Sequence, residues 1–193
     1  MGSSASMPQG VLLVGLEGAG KTTMLYEICS SVSIPSESWF YSIESGTYND
    51  FKLLSWDVDV QEKVKQLRKT HYRNGQISGI IFLVDSLNFD RIDEAKSELA
   101  WLSKEEALLQ LPVLVLASKQ DLPNCYSVSD ISSLLELDGL LEKRPWRIYG
   151  TGLATMKQDV EEPFNWLRQA IENPEGHIRT KDCASSVKSA NKV

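Results

Sequence analysis

The stretch that most constrains this chain is "GVLLVGLEGAGKTTMLYEICS", residues 10–30. A short apolar run ending in glycine, "GVLLVG" (10–15), reads as a buried strand, and residues from about 20 to 30 read as a helix. Between them "GLEGAGKT" (15–22) fits G-x-x-x-x-G-K-[ST], in the strand–loop–helix setting that this phosphate-binding motif requires. Glycines let the backbone curl so that successive N–H groups, from Glu17, Gly18, Ala19 and Gly20 through Lys21, Thr22 and Thr23, face phosphate oxygens. The helix N-terminus adds its dipole. Lys21 is expected to reach the β- and γ-phosphates, and Thr22 to set its hydroxyl on Mg²⁺. The alternative, a glycine-rich turn with a chance Lys-Thr, leaves the agreement of strand, loop and helix unexplained.

The rest of the chain alternates in the same way. "SWFYSIES" (38–45) and "DFKLLSWDV" (50–58) read as a strand pair joined by "GTYND", and a helix at about 60–73 follows. "SGIIFLVDS" (78–86) and "LPVLVLASK" (111–119) read as buried strands. Between them residues 90–107 read as a helix with Ile92, Ala95, Leu99 and Leu102 on one face. "SVSDISSLLEL" (127–137) reads as a helix with a Ser or Asp cap, "RPWRIYG" (144–150) as a last strand and "DVEEPFNWLRQAI" (159–171) as a last helix. Alternating strands and helices imply an α/β fold around a mainly parallel sheet. From residue 173 the pattern dissolves into a polar, Ser- and Lys-rich segment, which reads as a disordered tail.

Length and composition bound the function. A chain of 193 residues is one domain with room for a sizeable core. Its net charge of −6 gives a nucleic-acid partner no general electrostatic help. Three widely spaced cysteines argue against a disulfide framework and for a reducing, cytoplasmic setting. No apolar run reaches the roughly 18 residues of a membrane span. "MGSSAS" fits the myristoylation pattern on Gly2, although similar Gly-Ser starts occur in flexible termini. One such chain gives only weak peripheral membrane association, and no basic cluster reinforces it.

A phosphate loop does not choose between ATP and GTP. The choice lies in "ASKQDLP" (117–123), at the end of a buried strand, which resembles the N-K-x-D guanine-recognition motif. Asp121 would accept hydrogen bonds from the guanine N1–H and 2-amine, a pair adenine lacks, and the Lys119 stem would cover one face of the base. Ser118 stands in the place of the motif's Asn and is a shorter support. Alone, Asp121 reads equally as a cap or turn residue.

Together, "VLLVGLEGAGKTTMLY", "SIPS", "WDV..QEK", "HY", "GIIFLVDS" and "VLVLASKQDLPN" resemble the Arf/Arl family of small GTPases over residues 10–172. The resemblance implies a P-loop G domain with a six-stranded, mostly parallel sheet flanked by helices, preceded by a flexible segment (1–9) and followed by the tail (173–193). It implies GTP and GDP as ligands, Mg²⁺ as cofactor, and effector and regulator proteins as partners. Ser36 falls where the family has its switch I metal-binding Thr, and Asp57 where an acidic residue holds Mg²⁺ through water. Gln61 matches the residue that orients the attacking water. Gly152 and Leu153 fall on the loop whose backbone meets guanine O6. Trp39, Trp56 and Tyr72 fall at the family's aromatic effector patch, or are core side chains.

The chain departs from the family where the third phosphate is sensed. Val60 replaces a glycine whose N–H meets the γ-phosphate, and its branched side chain resists unusual backbone angles. Asp59 adds a carboxylate near an anionic ligand. Leu153 is bulkier than the family's Ala. The family's amphipathic N-terminal helix has no counterpart in "SSASMPQ". Two functions are left open: a slow GTPase acting as a trafficking or signalling switch, and a non-hydrolysing interaction module with a G-domain fold. A small-molecule kinase is disfavoured, because no Arg-rich lid is visible and "SKQD" would have no purpose.

Overall fold

The computed structural model describes residues 9–33, 44–55 and 77–177. Among them are seven strands: β1 Gln9–Gly15, β2 Val32–Ser33, β3 Glu44–Tyr48, β4 Phe51–Ser55, β5 Ile77–Asp85, β6 Val113–Ser118 and β7 Trp146–Gly150. Six α-helices accompany them: α1 Lys21–Ile28, α2 Ile92–Lys104, α3 Val128–Leu134, α4 Leu137–Leu140, α5 Met156–Asp159 and α6 Glu161–Glu172. The strands form one sheet in the order β2-β3-β4-β1-β5-β6-β7. β1 pairs in parallel with β4 and β5, and β5–β6 and β6–β7 continue in parallel. Only β3 runs against its neighbours among the described strands.

The apolar runs explain this arrangement. A parallel strand covered on both faces must be hydrophobic at every position. Val11, Leu12, Leu13 and Val14 of β1 are fully buried, and β6 is buried along its whole length. Successive side chains then feed two cores. Leu12, Val14, Ile80, Phe82, Val113 and Val115 face α2, α3 and α4, including the predicted Ile92, Ala95, Leu99 and Leu102 stripe. Val11, Leu13, Ile81, Leu83, Leu114 and Leu116 face α1, α5 and α6. On that second face Phe164 sits edge-on to Tyr48, with centroids 4.7 Å apart, and tilted against Phe51 at 5.6 Å. Removing a ring so placed costs about 3–5 kcal/mol.

The structure corrects several boundaries. The sheet has seven strands rather than six, because a two-residue strand, β2, pairs with Ser45 and Gly46. Residues 46–48 of the expected turn belong to β3, and the turn shrinks to Asn49–Asp50, made possible by the left-handed Asn49 (φ 52). The helix expected at 127–137 ends at Leu134. Glu136 (φ 52) breaks it before α4, while Ser127 and Asp130 form a reciprocal capping box at its start. The helix expected at 90–107 is a 13-residue α-helix with a 3-10 turn at each end. A further 3-10 turn, Glu175–His177, falls at the start of the segment read as tail. The helix expected at 60–73 and residues 178–193 lie outside the described residues.

Connections diverge between β1 and β5: the chain leaves β1 towards β2 on one side of the sheet and leaves β5 towards β6 on the other. In open α/β sheets the ligand crevice lies beyond the carboxyl ends of the strands at such a point. The glycine-rich loop emerges there.

Candidate nucleotide-binding site

The loop begins with a backbone contact. A Cβ on Gly15 would lie 2.4 Å from the Leu83 carbonyl oxygen, so only glycine lets the chain turn out of β1 this close to β5. Lys21 opens α1 and is 6% exposed. Its Nζ donates to the carbonyls of Gly15 (2.7 Å) and Leu16 (2.8 Å). A buried ammonium is tolerable when its donors are engaged, and these two hold the cation against the loop. The first turn of α1 carries no acidic residue, so the helix dipole and Lys21 together make this end favourable for an anion. Thr22 and Thr23 are exposed beside it. The Thr22 hydroxyl donates to Glu44 Oε2 at 2.7 Å across from β3.

The second part of the site is built from three segments. Ser118, at the end of β6, is buried, and its Oγ lies 2.8 Å from the Ala19 carbonyl and 3.0 Å from that of Val84. Its single hydroxyl proton ties the phosphate loop to β5. Lys119 follows in a left-handed conformation (φ 62), with its Nζ 2.6 Å from Asp85 Oδ2. Gln120 donates from Nε2 to Ser86 Oγ and to the Tyr126 carbonyl, both at 2.8 Å, and from its backbone to Thr151 O at 3.0 Å. Asp121 Oδ2 then accepts from the backbone N–H of Leu153 (3.0 Å) and Ala154 (3.5 Å). Gly152 permits that approach, since a Cβ there would lie 2.8 Å from the Asp121 Cβ. Its own N–H donates to Asp159 Oδ2 at 3.0 Å.

A model of the ADP-ribosylation factor family matches residues 3–171. The chain belongs to that family. Among solved structures, the Arl6 BBS3 small GTPase from Trypanosoma brucei, with bound nucleotide analogue GppNp, matches with a TM-score of 0.69. The two are 24% identical, over 85% of this chain and 97% of that one. At that identity the likeness is one of fold: both are P-loop G domains.

Within this ADP-ribosylation factor family member, the structure brings together the predicted Glu17–Thr23 loop and the predicted Ser118, Lys119, Asp121, Gly152 and Leu153 along one edge of the sheet. Asp121 and Leu153, 32 residues apart, are directly hydrogen-bonded. Ser118 faces inward to the loop, and Leu153 is 54% exposed. Ser36, Trp39, Trp56, Asp57, Gln61, Tyr72 and Gly2, with Asp59 and Val60, lie outside the described residues. Sequence reading missed Glu44, Gln120 and Asp159. Gln120 is the variable letter of the guanine motif, and Glu44 and Asp159 sit in no motif. Glu44 and Gln120 gain their parts from contacts with distant segments, and Asp159 from the Gly152 amide and the Thr155 hydroxyl, seven and four residues before it.

Of the residues expected to hold Mg²⁺, Thr22 alone lies among the described ones. Its hydroxyl oxygen is of the hard type that Mg²⁺ selects, and it is engaged by Glu44 Oε2.

Proposed function

We propose that this chain binds guanine nucleotides as an Arf-like switch and hydrolyses GTP slowly. The observation that carries the reading is the joining of Asp121 to the Leu153 backbone at one end of an edge whose other end holds Lys21 and the loop amides. Asp121 would accept from guanine N1–H and the 2-amine. The Leu153 N–H, released from Asp121 as the base takes its place, would serve O6, and the Lys119 stem would flank the ring. Lys21 and the amides of residues 17–23 would hold the phosphates. Thr22, Ser36 and Asp57 would hold Mg²⁺, with Glu44 beside Thr22, and the cation would spread the charge of the β- and γ-oxygens. Gln61 would orient water. Asp59 and Val60 would weaken sensing of the third phosphate, which is why hydrolysis is expected to be slow. Trp39, Trp56 and Tyr72 would form an effector surface. Gly2 acylation would add peripheral membrane contact to a cytoplasmic protein.

A second reading, a non-hydrolysing interaction module, is favoured by the same two residues and by the engagement of the Thr22 hydroxyl by Glu44. Single-turnover hydrolysis separates them. The slow-GTPase reading expects measurable turnover that rises in Val60→Gly and Asp59→Gly variants. No turnover in any of the three chains supports the module. Equal displacement of labelled GTP by ATP and GTP would sink the guanine assignment.

A further inference from the structure

The phosphate loop is held from behind by a residue that no motif points to. Arg91 closes the 3-10 turn Phe89–Arg91 that leads into α2. Its Nε donates to Glu94 Oε2 at 2.7 Å and its Nη2 to Glu94 Oε1 at 3.1 Å, a two-point pairing that fixes the plane of the guanidinium. That plane aims Nη1 at the carbonyl of Glu17, 3.2 Å away and 74 residues earlier in the chain. Leu16, Glu17, Asp85, Asn88 and Arg91 line the small cleft between the loop and α2.

Glu17 shares its peptide plane with the N–H of Gly18. In a trans peptide the carbonyl and the following N–H point in opposite directions. A donor that fixes the Glu17 carbonyl towards α2 therefore fixes the Gly18 N–H away from α2. A charged donor on the carbonyl also polarises the amide and strengthens its N–H as a donor. Because Glu94 neutralises the guanidinium, orientation and not net charge is what Arg91 contributes.

We propose that Arg91, held by Glu94, is a positioning residue that aims the Gly18 N–H at the β- and γ-phosphates of the bound nucleotide. This rests on the guanine-nucleotide reading above. The Glu17 side chain is exposed and not packed into the core. Arg91 is also part-exposed at its side chain (32%), so its replacement leaves the core intact.

The test compares the unmodified full chain with Arg91→Met and Arg91→Lys. Affinities for GDP and for guanosine monophosphate are measured, together with the thermal midpoint of each nucleotide-free protein. Arg91→Met is expected to keep its midpoint and its response to the monophosphate. It should lose about tenfold in GDP affinity, the value of one hydrogen bond from a charged donor. Arg91→Lys should recover part of that loss, because an ammonium reaches one acceptor well but cannot fork across two. Unchanged GDP affinity in Arg91→Met overturns the proposal. So does an equal loss for GDP and the monophosphate, or a loss that vanishes in high salt, which would mark simple charge attraction. If the unmodified chain binds no guanine nucleotide, the functional reading falls and takes the proposal with it. Retained binding in the variants removes the proposal alone.

Discussion

The two ends of the candidate site are built by opposite means. At the phosphate end Lys21 reaches back five and six residues to the carbonyls that precede it. At the base end the bonds join residues 32 to 34 apart: Lys119 to Asp85, Gln120 to Ser86, and Asp121 to Leu153. The lysine and its acceptors at the first end belong to one continuous segment, braced from outside by Ser118 and Arg91. The second exists only when β5, β6 and β7 lie in register. A local device survives small shifts of the sheet, whereas an assembled one reports them.

The sharpest way to break this contrast is Gly15→Ala. The added Cβ meets a backbone carbonyl at 2.4 Å, so β1 must move from β5 and both ends should fail. We expect a loss of about 3 kcal/mol in urea-denaturation stability, with no detectable guanine nucleotide binding. Retained binding would show that the loop does not need its strand.

Gly152→Ala should separate the ends. Its Cβ would push on Asp121 from 2.8 Å, at the cost of a charge-assisted bond of about 1.5–3 kcal/mol. Competition assays should show about ten- to a hundredfold weaker GDP binding and a narrower preference for guanine over adenine. Pyrophosphate binding should be unchanged. If it falls in parallel, the ends are one unit.

Ser118→Ala acts on the bridge between them and should be milder. Loss of the hydroxyl leaves the Ala19 and Val84 carbonyls without their shared donor, and about 1 kcal/mol of stability should go with it. Faster amide exchange at both ends would follow, and change at one end only would deny the bridge.

The smallest effect concerns Glu94. Hydrogen bonding to Arg91 holds its carboxyl below the usual glutamate range. A depressed folded value stabilises the protein above the unfolded value of about 4.3, and that contribution disappears as pH falls through the folded value. Acid titration of Glu94→Gln should therefore lose slightly less stability across this window than the unmodified chain. Glu94 is exposed and Arg91 part-exposed, so screening keeps the difference small. A steeper acid limb in the variant would reverse the assignment.

The contrast between the ends also explains what could be read in advance. β1, β5 and β6 were legible because burial on both faces demands unbroken apolar runs such as "IIFLV". β2 was not, since two residues carry no period. The break at Glu136 was hidden because a glutamate gives no warning of a left-handed turn. In the site, the phosphate loop announced itself by spacing alone, and Asp121 by its position after a core strand. Glu44, Arg91 and Asp159 had no local signature. Glu44 meets Thr22, and Arg91 the Glu17 carbonyl, only through tertiary approach, while Asp159 meets the Gly152 amide seven residues away in a stretch that no motif marks.

One feature of the sheet sets a limit on what such a site accepts. The phosphate loop leaves β1 and the residues proposed to recognise the base leave β6, with only β5 between them. Adjacent strands lie about 4.8 Å apart, so the two exits are separated by about 10 Å of backbone that no side chain can lengthen or shorten. The sheet is a ruler. Point changes at either end retune how a ligand's head or tail is gripped, but the reach between them is graduated in whole strands.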